Sequence, residues 1–219
     1  MNNFFKVARS IGVAAIFVIY ALLVHHVNSS QAGDNQASLL GAVLALIPLF
    51  LIVITYALKS KSTITGVGVI AVFSVTAWFL WPLIQLHTGF IFWLLDIGLM
   101  LALLITFGRT LLSDRKPLCV FFAEIINGGV LPADHEIYAR NVTVAWVIFF
   151  AMIIIVSTLL FFLAPLTVWS FFVNFLTIPL VALMFAGEFF VRKRLLTNLP
   201  KSNVMDAVRA YMDKSARIP

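Results

Sequence analysis

Charge is scarce in this chain. Of its 219 residues only 11% are charged, nine of them acidic, against 62% hydrophobic. A typical soluble domain carries about a quarter charged residues. At a mean hydropathy of +1.06, a water-soluble globule this small would have nowhere to put its apolar side chains. A soluble enzyme, a nucleic-acid-binding domain and a disordered chain are therefore excluded. There is one cysteine, Cys119, which rules out an internal disulfide framework and any multi-cysteine metal site. The chain also lacks a phosphate-cradling glycine loop, a His-Glu-x-x-His helix and a Gly-x-Ser-x-Gly elbow. With no catalytic residue or cofactor motif in view, a hydrolase or an ATP-driven pump has little support. No inverted repeat relates the first three apolar stretches to the last three, which weakens a secondary-transporter reading.

What is present is length of apolar run. About 20 residues of helix cross about 30 Å of hydrocarbon, and six stretches qualify, near 10–27, 39–58, 64–84, 90–108, 142–163 and 168–190. None alternates with the period of a β-barrel strand. The expected fold is an all-α integral membrane protein, a six-helix transmembrane bundle over residues 1–190. A basic tail, 191–219, carries a short amphipathic helix capped by Ser202 or Asn203.

Lysine and arginine give the threading. All fifteen fall before span one, between spans two and three, between spans four and five, or after span six. The three opposite loops have none. By the positive-inside rule both termini are cytoplasmic, and the net charge of +6 needs no nucleic acid to explain it. The basic start of span one and Ser30-Gln31-Ala32 could mimic a cleaved signal, but the span is expected to be a retained anchor. Trp78, Trp81, Trp93 and Trp169 sit near the outer span ends and Trp146 near an inner one, as interfacial anchors would. Gly41/Ala45, Gly98/Ala102 and Ala182/Ala186 have the spacing that lets helices approach closely. Pro48 and Pro179, within spans two and six, predict kinks.

The 109–141 loop is too polar to span and too apolar for a free linker. Asp114 can cap a helix beginning around Pro117, with Leu118, Phe121, Phe122, Ile125 and Ile126 recurring on one face and Gly128-Gly129 ending it. A short amphipathic helix among basic residues is expected to lie in the membrane interface.

Ionisable groups inside a membrane are expensive and each needs a reason. Asp96, about 9 Å into span four at 1.5 Å per residue, could bind a proton, cation or substrate, or hydrogen-bond Asn174 or a backbone carbonyl. Glu188 stands one turn before Arg192, a spacing for an ion pair. Arg109 and Arg140 should emerge at similar depth, forming an ion-pair cluster or an anion site. Arg192, Lys193 and Arg194 would sit among anionic headgroups or dock a partner. His25, His26 and His87 share one side of the membrane but lie at the rim, where a metal or haem is not expected. Span serines and threonines read as isolated, with no histidine or lysine partner.

Two stretches stand out: Gly128-Gly129-Val130-Leu131-Pro132 with Tyr138 to Trp146, and Val168-Trp169-Ser170 with Ile178 to Glu188. Together they resemble a family of uncharacterised bacterial inner-membrane proteins, often encoded beside fatty-acid-synthase-like enzymes of aryl polyene and xanthomonadin-type pigment pathways. The resemblance covers roughly the last half of the chain and brings no catalytic motif. It implies an accessory or scaffold protein of the bacterial inner membrane for assembly or export of an acyl, polyene or lipid product. The basic cytoplasmic face would recruit an acidic acyl carrier protein or a cytosolic synthase, with other membrane subunits as further partners. A small-solute or lipid transporter using Asp96 is the competing reading. An acyl- or glycosyl-transferring enzyme near Glu188 and Arg140 is a weaker third.

Overall fold

The computed structural model describes residues 2–30, 35–112, 115–127 and 129–195. The tail helix expected from Ser202 onward, and the Asp114 cap, lie outside the described residues. Within them the chain is helical and contains no strand. The helices are α1 (Asn2–Ser29), α2 (Asn35–Lys59), α3 (Thr63–Leu86), α4 (Thr88–Leu111), α5 (Leu118–Asn127), α6 (Ala133–Leu163), α7 (Leu166–Phe171) and α8 (Thr177–Leu195), with a π-helical turn at Phe172–Leu176 joining the last two. Among the described residues, six segments are long and apolar enough to cross a membrane: 11–29, 36–59, 63–86, 88–111, 133–163 and 166–195. The protein is thus of the multi-pass, all-α membrane type.

Local sequence explains the breaks. His87 alone separates α3 from α4, its amide donating to the Leu83 carbonyl, where the apolar runs 64–84 and 90–108 predict a longer turn. Pro165 opens α7, its carbonyl taking the Val168 amide at 2.9 Å. The final span is not a plain α-helix. The Thr177 amide reaches back five residues to the Phe172 carbonyl, and its hydroxyl donates to the same oxygen at 3.3 Å. Pro179 follows within two residues and has no N–H for the Phe175 carbonyl, so the hydrogen-bond ladder is already interrupted where the wide turn forms. Pro48 likewise has no N–H for the Leu44 carbonyl, but α2 continues through it without a wide turn.

Packing divides the chain into two units, one of residues 1–96 and 157–177, the other of 97–156 and the chain from Ile178 onward. In the first, α2 lies along α3, and α1 packs on α2, α7 and the π-turn. Its core is Val24, Val27, Leu44, Ala45, Phe92 and Trp169. Of the three small-residue pairs, only Gly41/Ala45 works as expected. A Cβ on Gly41 would meet Val27 Cγ1 at 2.8 Å, and Ala45 is fully buried. Gly98 has no such neighbour within 4 Å among the described residues, while Ala182 and Ala186 are exposed. A tight approach to backbone occurs instead at Gly66 of α3, where an added Cβ would stand 2.8 Å from the Ala57 carbonyl of α2.

The second unit seats α5 on the start of α6. Val120, Leu131 and Ala139 are buried together, with Cys119 and Ala123 packed against them. α5 therefore buries its small-residue face, and Phe121 and Phe122 are about two-fifths exposed. Its first amides are met by neighbouring threonines: Leu118 N–H donates to Thr110 Oγ1 at 3.0 Å and Cys119 N–H to Thr143 Oγ1 at 3.2 Å. Threonines thus do what a capping residue does for the orphan donors of a helix start. Burial pushes the Cys119 thiol up from its usual range, with the nearby Glu188 adding to the rise and Thr143 opposing it. Trp146 packs here among Phe185, Phe150 and Phe149, with ring centroids 4.7, 5.4 and 5.6 Å away.

Two of the expected anchors are therefore core residues, because Trp146 and Trp169 are 5% and 1% exposed. Trp78 does face outward, at 80%.

Candidate functional site

The first unit contains a run of buried polar side chains inside apolar spans. Asp96, on α4, is half-buried, and its Oδ2 accepts a short 2.6 Å hydrogen bond from Ser157 Oγ of α6. Ser157 is fully buried and in turn accepts the indole N–H of Trp169 at 3.0 Å. An indole nitrogen can only donate, so the first link runs from Trp169 to Ser157, and the Ser157 hydroxyl donates on to Asp96. Asn174 is not the partner of Asp96. Its amide donates to the Ser170 carbonyl at 2.8 Å and to Ser170 Oγ at 3.2 Å.

Ser170 is the next residue along from Trp169 and is also fully buried. Its hydroxyl lies 3.2 Å from His25 Nδ1 and accepts the Asn28 amide at 3.3 Å. The expectation that span serines have no histidine partner is overturned by this pair, which α1 and α7 bring together from 145 residues apart. The ring of His25 also meets Phe175 edge-on at 5.3 Å. Such a pair resembles a nucleophile and its base, but Ser170 is fully buried and two amides occupy its hydroxyl oxygen. It is a hydrogen-bond junction. Among the described residues, Asn28 Oδ1 is buried and unpartnered, as is Trp93 Nε1.

His26 and His87 are exposed. Among the described residues no three metal-capable side chains converge.

The second unit holds the other group. Arg192 Nε lies 3.4 Å from Glu188 Oε1, an i, i+4 ion pair, and the Arg192 guanidinium stands 5.9 Å from the centroid of Phe189. The third member is one sequence reading missed: the Tyr138 hydroxyl donates to the Glu188 carbonyl at 3.1 Å and to its Oε1 at 3.3 Å. Arg109 and Arg140 do not join. Both are exposed and form no ion pair among the described residues, so the expected cluster fixing three helix ends shrinks to a pair and a tyrosine. Lys193, Arg194 and Arg115 are likewise exposed and without an ion pair among the described residues. Lys116 is engaged, 2.7 Å from Glu124.

No protein-family model matches the chain, and neither the curated proteins nor the solved structures provide a significant match.

The first unit thus holds the buried hydrogen-bond networks and Asp96, and exposed cations stand on both units, among them Lys59 and Lys61 of the first and Arg109, Arg140, Lys193 and Arg194 of the second.

Proposed function

We propose that the protein is an accessory or scaffold component of the bacterial inner membrane, with its cationic end in the cytoplasm. There it recruits an acidic acyl carrier protein or synthase for assembly or export of an acyl, polyene or lipid product. One observation carries this: Arg109, Arg115, Arg140, Lys193 and Arg194 of the second unit are exposed and lack acidic partners among the described residues. Exposed cations without internal partners are free to steer an anionic protein and fix its register. α5, seated on α6 with Phe121 and Phe122 exposed, lies in this picture at the inner membrane interface. The family resemblance supplies the product class.

Recovery of a cytosolic carrier or synthase from the protein in mild detergent tests the proposal. The triple variant Arg140→Gln, Lys193→Gln, Arg194→Gln is expected to lose at least tenfold in recovery, with wild-type recovery falling as salt is raised. Equal recovery by the variant would overturn it.

The Asp96–Ser157–Trp169 chain favours a second reading, a transporter in which Asp96 carries a proton or cation across the span. Asp96→Asn keeps the hydrogen bond to Ser157 and removes the charge. Vesicles containing that variant, at normal expression, should show no proton flux where wild type does. Unchanged flux would remove this reading.

A further inference from the structure

The α2–α3 hairpin carries charge of one sign. From Asn35 to Leu86 it contains no acidic residue, and its turn reads Lys59-Ser60-Lys61-Ser62. Both lysines are exposed, and neither forms an ion pair among the described residues. Ser62, the N-cap of α3, makes no side-chain capping bond, so the positive end of that helix adds to the lysines' field.

Packing on α2 changes along its length. The first half holds its buried residues, Gly41, Ala42, Leu44 and Ala45, and meets α1 there, where the Leu44 carbonyl takes the Tyr20 hydroxyl. From Leu51 onward no residue of the helix is buried. Here Leu51, Ile52, Thr55, Tyr56 and Lys59 line a groove of about 430 Å³, within the range of about 300–1,000 Å³ of ligand-sized sites. Its walls are apolar. Even Thr55 offers no free donor, because its hydroxyl donates back to the Leu51 carbonyl at 2.7 Å. The one charged lining residue is Lys59, at the end of the helix. From Leu51 to Lys59 the axis runs about 12 Å at 1.5 Å per residue, and one leaflet is half of about 30 Å of hydrocarbon. A chain laid in the groove from Lys59 therefore stays within a single leaflet.

We propose that this groove binds one acyl chain of an anionic phospholipid, whose phosphate is held at Lys59 and Lys61. Charge selects the occupant. A zwitterionic lipid brings a cation of its own to the lysines. A second copy packed here about a two-fold axis would set its lysines against these, like charge against like. A water-soluble acidic partner has no means of filling an apolar groove at hydrocarbon depth. Tyr56, 60% exposed, suits the level where tail meets headgroup, as interfacial tyrosines do. The site needs neither carrier recruitment nor flux through Asp96, so its failure would leave both functional readings standing.

The test is photo-labelling of the full chain in phosphatidylcholine bilayers. Trace phosphatidylglycerol or phosphatidylcholine, each with a diazirine midway along one acyl chain, is activated by light, and the adducts are placed by peptide mass spectrometry. Labelling within residues 51–59 should be about fivefold higher or more with phosphatidylglycerol, and the preference should weaken as salt is raised. The double variant Lys59→Gln, Lys61→Gln should bring the two lipids level and leave phosphatidylcholine labelling unchanged. Ile52→Trp, which fills the groove, should cut phosphatidylglycerol labelling there while labelling elsewhere in the chain stays the same. Equal labelling of wild type by both lipids would overturn the proposal, as would a preference that survives the lysine exchange or an Ile52→Trp variant labelled like wild type. So would the absence of adducts within 51–59, the result expected if a second copy covers this face.

Discussion

Replacing Trp169 by alanine should cost about 3 kcal/mol, the low end for truncating a buried aromatic residue. The low end applies because lipid is as apolar as a protein core, so the part of the loss that comes from transfer to water falls away in a bilayer. What remains is the cavity and the contacts. Trp169 is 1% exposed, its ring meets Phe161 edge-on at 5.2 Å, and its N–H orients Ser157 toward Asp96. Trp169→Phe separates these contributions by keeping most of the ring and losing the hydrogen bond, a loss of about 1 kcal/mol. Thermal or denaturant unfolding in detergent reads both. A Trp169→Ala variant as stable as wild type would show that the first unit is not built around this side chain.

The second large effect concerns glycine. Gly66→Val should destabilise the α2–α3 hairpin by about 1–3 kcal/mol, the usual range for overpacking. The added Cβ would stand 2.8 Å from a backbone oxygen, that of Ala57, and a carbonyl held in a helix has little freedom to yield. Gly68, just beyond Val67 on the same helix, has nothing within 4 Å of an added Cβ among the described residues. Gly68→Ala should therefore be neutral or stabilising by up to about 1 kcal/mol, through helix propensity alone. The same unfolding assay compares the two. Equal effects from both substitutions would refute a close contact at Gly66.

These two cases mark what hydropathy could and could not convey. The spans were legible because the bilayer sets a length and a chain must supply it. Asp96 was legible because a carboxylate in an apolar run is rare. Gly66 was not distinguishable from Gly98, since a helix apolar all round presents no stripe to tell a protein neighbour from lipid. Ser157 and Ser170 look like any small polar residue in a span, and their importance comes from partners 61 and 145 residues away. Trp146 and Trp169 misled for a related reason: position near a span end suits an interfacial anchor, but burial depends on which way the residue faces. Arg109 lies in the last turn of α4, whereas α6 starts at Ala133 and holds Arg140 two turns inside it; both side chains are exposed, since long cationic side chains reach water more cheaply than they reach Glu188.

The wide turn at Phe172–Leu176 has a consequence for how this chain tolerates changes of length. A π-turn is an α-helix with one residue too many. Removing one residue there should replace the wide turn by α-helical turns that still carry the Pro179 gap, and rotate the residues after it relative to those before it by about 100°, one residue's share of a 3.6-residue turn. Trp169 and Ser170 precede the turn, and Pro179 and Glu188 follow it. The extra residue thus sets the phase between the two halves of the final span, so insertions or deletions there change which side chains share a face.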